Sequence, residues 1–171
     1  IIVGYTAYSR EFPFEAFSKI AEKVGAYLVA DISHISGLVI SNVHTSPAPF
    51  CDVIMTTTHK TLKGPRWALI MVTDRGLQND PELGTKIDKS VFPGLQWGPH
   101  NHQTLAIAVA LWESLEEKFH IMNAQIIKNA QSLASELQSK GFDIATWWTD
   151  NHLILASVWK GRGWYIQEAL D

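Results

Sequence analysis

Lys60 stands where a lysine can be held for covalent chemistry. It follows Cys51 to Thr58, an apolar and β-branched run that reads as a buried strand, and it precedes the Gly64-Pro65 turn within Thr56-Thr57-Thr58-His59-Lys60-Thr61-Leu62-Lys63-Gly64-Pro65-Arg66. A residue just past a strand end occupies the loop position that sheet enzymes use for reactive groups. A lysine desolvated there forms a Schiff base with an aldehyde. Taken alone, a lysine after a strand is most often a solvated surface residue, so the neighbours must carry the case.

Asp31 is the second candidate, directly after the apolar run Tyr27-Leu28-Val29-Ala30. A pyridoxal ring requires an anion against its pyridine nitrogen to stay protonated and to accept electrons, and lysine plus aspartate is the minimal pair for that chemistry. The plainer reading of Asp31 is a turn residue. His34, three residues on, either lies over such a ring or fills the turn, and His59 beside Lys60 is placed to tune the lysine. His100 and His102 invite a metal reading, but no third and fourth ligand follow at a recognised spacing, so no metal site is expected.

The elements that must position these residues alternate in period. Ile1 to Val3 reads as a strand; Phe14, Phe17, Ile20, Ala21 and Val24 fall at helical spacing after Pro13, with Gly25 as the stop. Strands follow at Tyr27 to Ala30, Cys51 to Thr58 and Ala68 to Val72. This pattern predicts an α/β fold, a mainly parallel sheet covered by helices, with Asp31, His34 and Lys60 on one rim. Residues 74 to 99 read as loop. Helices are expected from about Asn101 to Lys118 and Ile121 to Ser139, with a break at Phe119-His120. That break predicts two domains, 1–118 and 119–171, the second a small α+β domain with strands near Phe142 to Thr146 and His152 to Val158 and a helix from Trp164 to Leu170.

Composition excludes several classes. Of 171 residues, 46% are hydrophobic and 18% charged, the formal net charge is −3, and there is no basic block, so a small molecule is a better partner than nucleic acid. No apolar run reaches the length of a membrane span. The single cysteine, Cys51, cannot form an internal disulfide; it reads as a buried packing residue in a reducing, cytoplasmic compartment. The chain starts without Met inside a strand pattern and stops inside a helical one, which reads as the central piece of a longer protein.

Four strings in order carry a resemblance: Ala30-Asp31-Ile32-Ser33-His34-Ile35-Ser36-Gly37-Leu38-Val39, the lysine loop above, Phe92-Pro93-Gly94-Leu95-Gln96, and Thr149-Asp150-Asn151-His152-Leu153. In order and spacing they resemble serine hydroxymethyltransferase. The resemblance implies a pyridoxal 5'-phosphate enzyme of the aspartate-aminotransferase-like fold, a homodimer or homotetramer that interconverts serine and glycine with tetrahydrofolate as the one-carbon co-substrate. It implies 1–118 as the second half of the cofactor domain and 119–171 as the opening of the small domain. Position by position, it makes Lys60 the Schiff-base lysine, Asp31 the partner of the pyridine nitrogen, and His34 a contact of cofactor or substrate carboxylate. Thr57 would lie near the ring, His59 would support the lysine, and Thr6 would take a place where a serine commonly bonds the cofactor's phenolic oxygen. Trp97 and Gly98 would approach the phosphate of the neighbouring subunit's cofactor; Arg66 would support the lysine loop. The family's upstream phosphate loop, ring-stacking histidine, proton-transfer glutamate and downstream carboxylate-binding arginine are not in these residues, and the piece alone is expected to be inactive. Another fold-type I enzyme, such as an aldolase or aminotransferase, and a non-catalytic homologue are the alternatives.

Set against the family pattern, Trp67, Trp97, Trp147, Trp148 and Trp164 occupy glycine positions, five of the seven tryptophans in the chain. Glycine serves where backbone takes φ > 0 or must approach a ligand, and an indole at Trp97 would collide with a phosphate. Either phosphate binding across the interface has been lost, or the source reads a stop codon as glycine that translation by the standard code renders as tryptophan. The repeated choice of one residue favours the second.

Overall fold

The computed structural model describes residues 1–157. The helix expected at Trp164 to Leu170, the end of the strand expected to reach Val158, and Trp159 and Trp164 lie outside the described residues.

The chain forms two compact units, one of Ile1–Thr6 and Phe12–Asn123, the other of Ala7–Glu11 with the chain from Ala124 onward. In the first unit a four-stranded sheet runs in the order β1 (Ile2–Val3), β2 (Val29–Asp31), β3 (Val53–Thr57), β4 (Ala68–Val72). β1, β2 and β3 are parallel, with Val3 opposite Ala30 and Asp31 opposite Met55; β4 returns antiparallel, with Thr57 opposite Ala68. The sheet is therefore mainly parallel, with helices beside it. Parallel strands covered on both faces need near-continuous apolar sequence, and Val3, Leu28, Ala30, Val53 and Ile54 are buried accordingly. β4, at the edge of the sheet among the described residues, is half open to solvent.

α1 (Phe14–Val24) begins after Pro13 and ends at Gly25, as its pattern requires. It buries Phe14, Ser18 and Ala21, whereas Ile20 and Val24 of the expected apolar face are exposed. The buried Asp52 carboxylate fixes the start of β2: it accepts from Leu28 N–H at 2.7 Å and Asn79 Nδ2 at 2.7 Å, with Arg75 Nε at 3.5 Å. A buried charge without such donors would cost several kcal/mol, about 3–5 when one partner is removed. Cys51 is buried, and burial pushes its thiol up to about 12, which suits packing rather than nucleophilic work.

Three expectations are corrected. The turn after Asp31 contains a short helix, α2 (Ser36–Ile40), and the 74–99 stretch contains α3 (Asp74–Asn79) and α4 (Leu83–Lys89) before a kinked turn at Ser90–Leu95. Thr73 starts α3 by accepting from Gly76 N–H at 3.1 Å. These helices are too short to show a period in the sequence. The long pair breaks at Leu115-Glu116, between α5 (Asn101–Ser114) and α6 (Glu117–Ser139), and α6 runs through Phe119-His120. Phe119 is buried in the first unit, and a buried aromatic inside a helix leaves no reason for a stop there.

The second unit is held by the Thr149–Leu153 string. Asp150 N–H donates to the Ser9 carbonyl at 2.8 Å, Arg10 Nε meets Asp150 Oδ2 at 2.7 Å, Asn151 Nδ2 donates to the Tyr8 carbonyl at 3.0 Å, and Thr149 Oγ1 donates to the Leu153 carbonyl at 2.6 Å. Thr149 and Asn151 are fully buried, so these bonds replace water that the groups have lost. β5 (Asp143–Ile144) and β6 (Ala156–Ser157) pair antiparallel. Among the described residues, no helix is long and apolar enough to cross a membrane.

Candidate active site

A cleft of about 190 Å³ opens at the carboxyl ends of β1, β2 and β3, lined by Gly4, Tyr5, Thr6, Asp31, Ser33, His34, Met55, Thr57 and Lys60. Five residues singled out in the sequence, Thr6, Asp31, His34, Thr57 and Lys60, meet there. Parallel strands bring their carboxyl ends to one rim, which is why residues up to 54 positions apart converge. A larger apolar opening of about 710 Å³ lies between β4 and residues 87–96, but Asp88 is its one titratable lining residue. Chemistry, not size, marks the smaller cleft.

Asp31 is the last residue of β2 rather than the first beyond it. Its Oδ1 accepts from Ser33 N–H at 3.0 Å and from Ser33 Oγ at 2.5 Å. The Ser33 hydroxyl in turn accepts from Thr57 N–H at 3.0 Å. Lys60 Nζ donates to Thr57 Oγ1 at 2.8 Å. Thr61 joins the two loops: its Oγ1 donates to the His34 carbonyl at 3.1 Å and accepts from Gly37 N–H at 3.0 Å. Gly37 permits this approach, because a Cβ there would run into the Thr61 carbonyl, and a Cβ at Gly4 would run into the Asp31 carbonyl in the same way. The lysine loop closes on itself through Gly64 N–H to the Thr58 carbonyl at 2.6 Å and Thr58 Oγ1 to the Pro65 carbonyl at 2.5 Å.

Burial holds the His34 imidazole below its ordinary value of 6.5, the Lys60 charge pushes the same way, and Asp31 opposes both. The neutral imidazole is thereby favoured. His59 does not line the cleft; desolvation, then the charges of Lys60 and Arg66, lower it as well, and its buried Nδ1 has no hydrogen bond among the described residues. Trp97 and Gly98 also lie away from this cleft, on an exposed stretch before α5, and Trp97 is 78% exposed. Sequence reasoning missed Gly4, Tyr5, Ser33 and Met55 as lining residues. For Ser33 a signal existed, since Asp-x-Ser is a spacing at which an aspartate side chain caps the backbone N–H two residues on.

An amine, a carboxylate, a neutral imidazole and hydroxyls in one small cleft form a donor set suited to an aromatic aldehyde with a basic ring nitrogen. The mainly parallel sheet that carries it is consistent with the fold of pyridoxal-phosphate-dependent transferases. Comparison with known proteins is specific within that class. The family model for serine hydroxymethyltransferase matches residues 1–163. Curated proteins named serine hydroxymethyltransferase from Microcystis aeruginosa, Cyanothece sp. and Prochlorococcus marinus are 56%, 54% and 54% identical over 158 residues, 92% of this chain. The chain belongs to the serine hydroxymethyltransferase family. It spans 36% of the length of those relatives.

Proposed function

We propose that the full-length protein is a pyridoxal 5'-phosphate-dependent transferase that interconverts serine and glycine, passing the one-carbon unit to or from tetrahydrofolate. The convergence of Lys60, Asp31 and His34 in one cleft carries this reading, and family membership supplies the substrate class. When bound, the cofactor supplies an aldehyde for exchange with amino groups and a protonated ring that draws electrons from bonds at an amino acid's α-carbon. Lys60 is the residue to hold it covalently, and Asp31 the one to pair with its ring nitrogen. The hydroxyls of Thr6 and Thr57 are its polar neighbours in the cleft. Thr57 Oγ1 gives the lysine amine a fixed resting place on the cleft wall. His34, whose neutral form burial and the Lys60 charge favour, accepts a hydrogen bond without adding charge beside Lys60. His59 supports the lysine from outside the cleft, while Gly98, and position 97 if it carries glycine in place of Trp97, serve the neighbouring subunit's phosphate.

Residues 1–118 then belong to the cofactor domain and 119–171 open the small domain. Family membership is the ground for assembly as a homodimer or homotetramer; the exposed stripe Leu105, Val109 and Trp112 on α5 calls for cover from the rest of the full-length chain or from a second subunit. The single buried cysteine suits the cytoplasm.

The test is product analysis with purified full-length protein. Glycine should form from serine only when pyridoxal phosphate and tetrahydrofolate are both present. Amino transfer to a keto acid, or cleavage of threonine without any folate-dependent serine turnover, would replace this reading with one of its rivals.

A further inference from the structure

We propose that Ser33 is a positioning residue that locks the Asp31 carboxylate for a protonated ring nitrogen. The inference rests on the proposed cofactor reading and concerns a residue which that reading does not use. Both donors of Ser33, its backbone N–H and its hydroxyl, converge on one oxygen, Oδ1 of Asp31. No hydrogen bond to Oδ2 forms among the described residues, so one carboxylate oxygen is tied down and the other is left to a ligand in the cleft that Asp31 lines. The hydroxyl oxygen accepts from Thr57 N–H, and its single proton has two acceptors in reach, Asp31 Oδ1 at 2.5 Å and the Met55 sulfur at 3.6 Å; the carboxylate, nearer and far the stronger acceptor, takes it. Ser33 is also buried, which removes competing water and strengthens each bond of the chain.

Thr57 makes this more than a local turn. Its backbone N–H reaches Asp31 through Ser33, and its hydroxyl accepts from Lys60 Nζ. The two groups that must grip opposite ends of one ring are thus referenced to a single residue of β3. Ser33 is the link that carries the reference across to β2, beyond the last strand pair at Asp31 and Met55.

The experiment uses the full-length protein loaded with pyridoxal phosphate carrying ¹⁵N in the ring, comparing wild type with Ser33→Ala, Ser33→Thr and Ser33→Cys. Ring protonation is read from the ¹⁵N chemical shift across pH, and cofactor affinity from absorbance titration. Losing a hydroxyl that donates to a charged acceptor should weaken cofactor binding about tenfold in Ser33→Ala. The two possible effects on the ring differ in sign. A carboxylate merely deprived of a donor becomes more basic and would raise the ring-nitrogen titration, whereas a carboxylate freed to rotate away lowers it. Positioning predicts the lower value in Ser33→Ala, an intermediate one in Ser33→Cys, whose thiol still fills the site but donates weakly, and recovery in Ser33→Thr. Ser33→Cys keeps the comparison intact should the alanine variant not fold. A titration unchanged or raised in the variants, while borohydride still fixes cofactor on Lys60, overturns the role of Ser33 alone. Wild-type protein that takes no label on Lys60 overturns both this inference and the cofactor reading.

Discussion

The lysine loop and the turn at Ala145–Trp148 treat glycine positions in opposite ways. Around Lys60, glycine stands wherever backbone meets backbone: Gly37 against Thr61, Gly4 against Asp31, and Gly64, where a Cβ would come 2.9 Å from the Thr58 carbonyl oxygen. In the turn, Thr146 and Trp147 both hold the left-handed conformation, at φ 67° and 58°, and the second of them is an indole that is 80% exposed. The turn has little freedom to relax. Trp147 N–H bonds the Ile144 carbonyl at 2.8 Å, Gln138 Nε2 bonds the Trp147 carbonyl at 2.8 Å, and Arg10 Nη1 bonds the Thr146 carbonyl at 3.0 Å. Close contact forbids a side chain in the first region. The second is open enough to admit one, at the cost of a conformation that suits glycine better.

The comparison can be broken at either end. Lys60→Ala should give the largest effect, a loss of turnover on the order of 10³-fold or more with no change in the folded baseline by circular dichroism. Gly37→Ala should cost about 2–3 kcal/mol in urea unfolding of the full-length protein, because the new methyl must displace the Thr61 backbone. An unchanged midpoint would mean that the approach of α2 to the lysine loop is looser than the structure has it.

Trp147→Gly should instead stabilise by about 1 kcal/mol, and Trp147→Ala should not, since alanine shortens the side chain without easing a positive φ. Equal gains from both variants would trace the effect to the exposed indole, not to the backbone. The gene gives a companion check: UGA codons at 67, 97, 147, 148 and 164, against UGG at 112 and 159, would mean that glycine is inserted at those five positions.

The smallest effect is that of pH. With its folded pKa below 6.5, His34 contributes stability that is present above pH 6.5 and lost as pH falls through the folded value, because the unfolded chain then binds more protons. His34→Gln should flatten the fall in melting temperature on acidification below pH 6.5. An identical slope in wild type and variant would assign that dependence to other groups.

Much of this was legible in the residues. The β-branched run before Lys60 became β3, Pro13 and Gly25 bracketed α1, and Ala68 to Val72 formed β4, because each has either a clear period or a residue with fixed backbone preferences. Strand ends then implied a shared rim for Asp31, His34 and Lys60. What stayed hidden had no such mark. α3 and α4 are six and seven residues long, fewer than two helical turns and too short for a period to repeat. The Leu115-Glu116 break contains neither Gly nor Pro. Ser33 looks like any polar turn residue until the fold lays Thr57 N–H beside it, a contact across 24 positions that spacing alone does not announce. The separation of His59 from the cleft depends on which way the chain turns after Thr58, and no local pattern records that.

The account depends most on the ε-amino group of Lys60. Full-length protein equilibrated with pyridoxal phosphate, reduced with borohydride and digested should yield one pyridoxyl-modified peptide, with the label on Lys60 and absent from Lys63. An unlabelled Lys60 at saturating cofactor, or a label distributed over surface lysines, would contradict it.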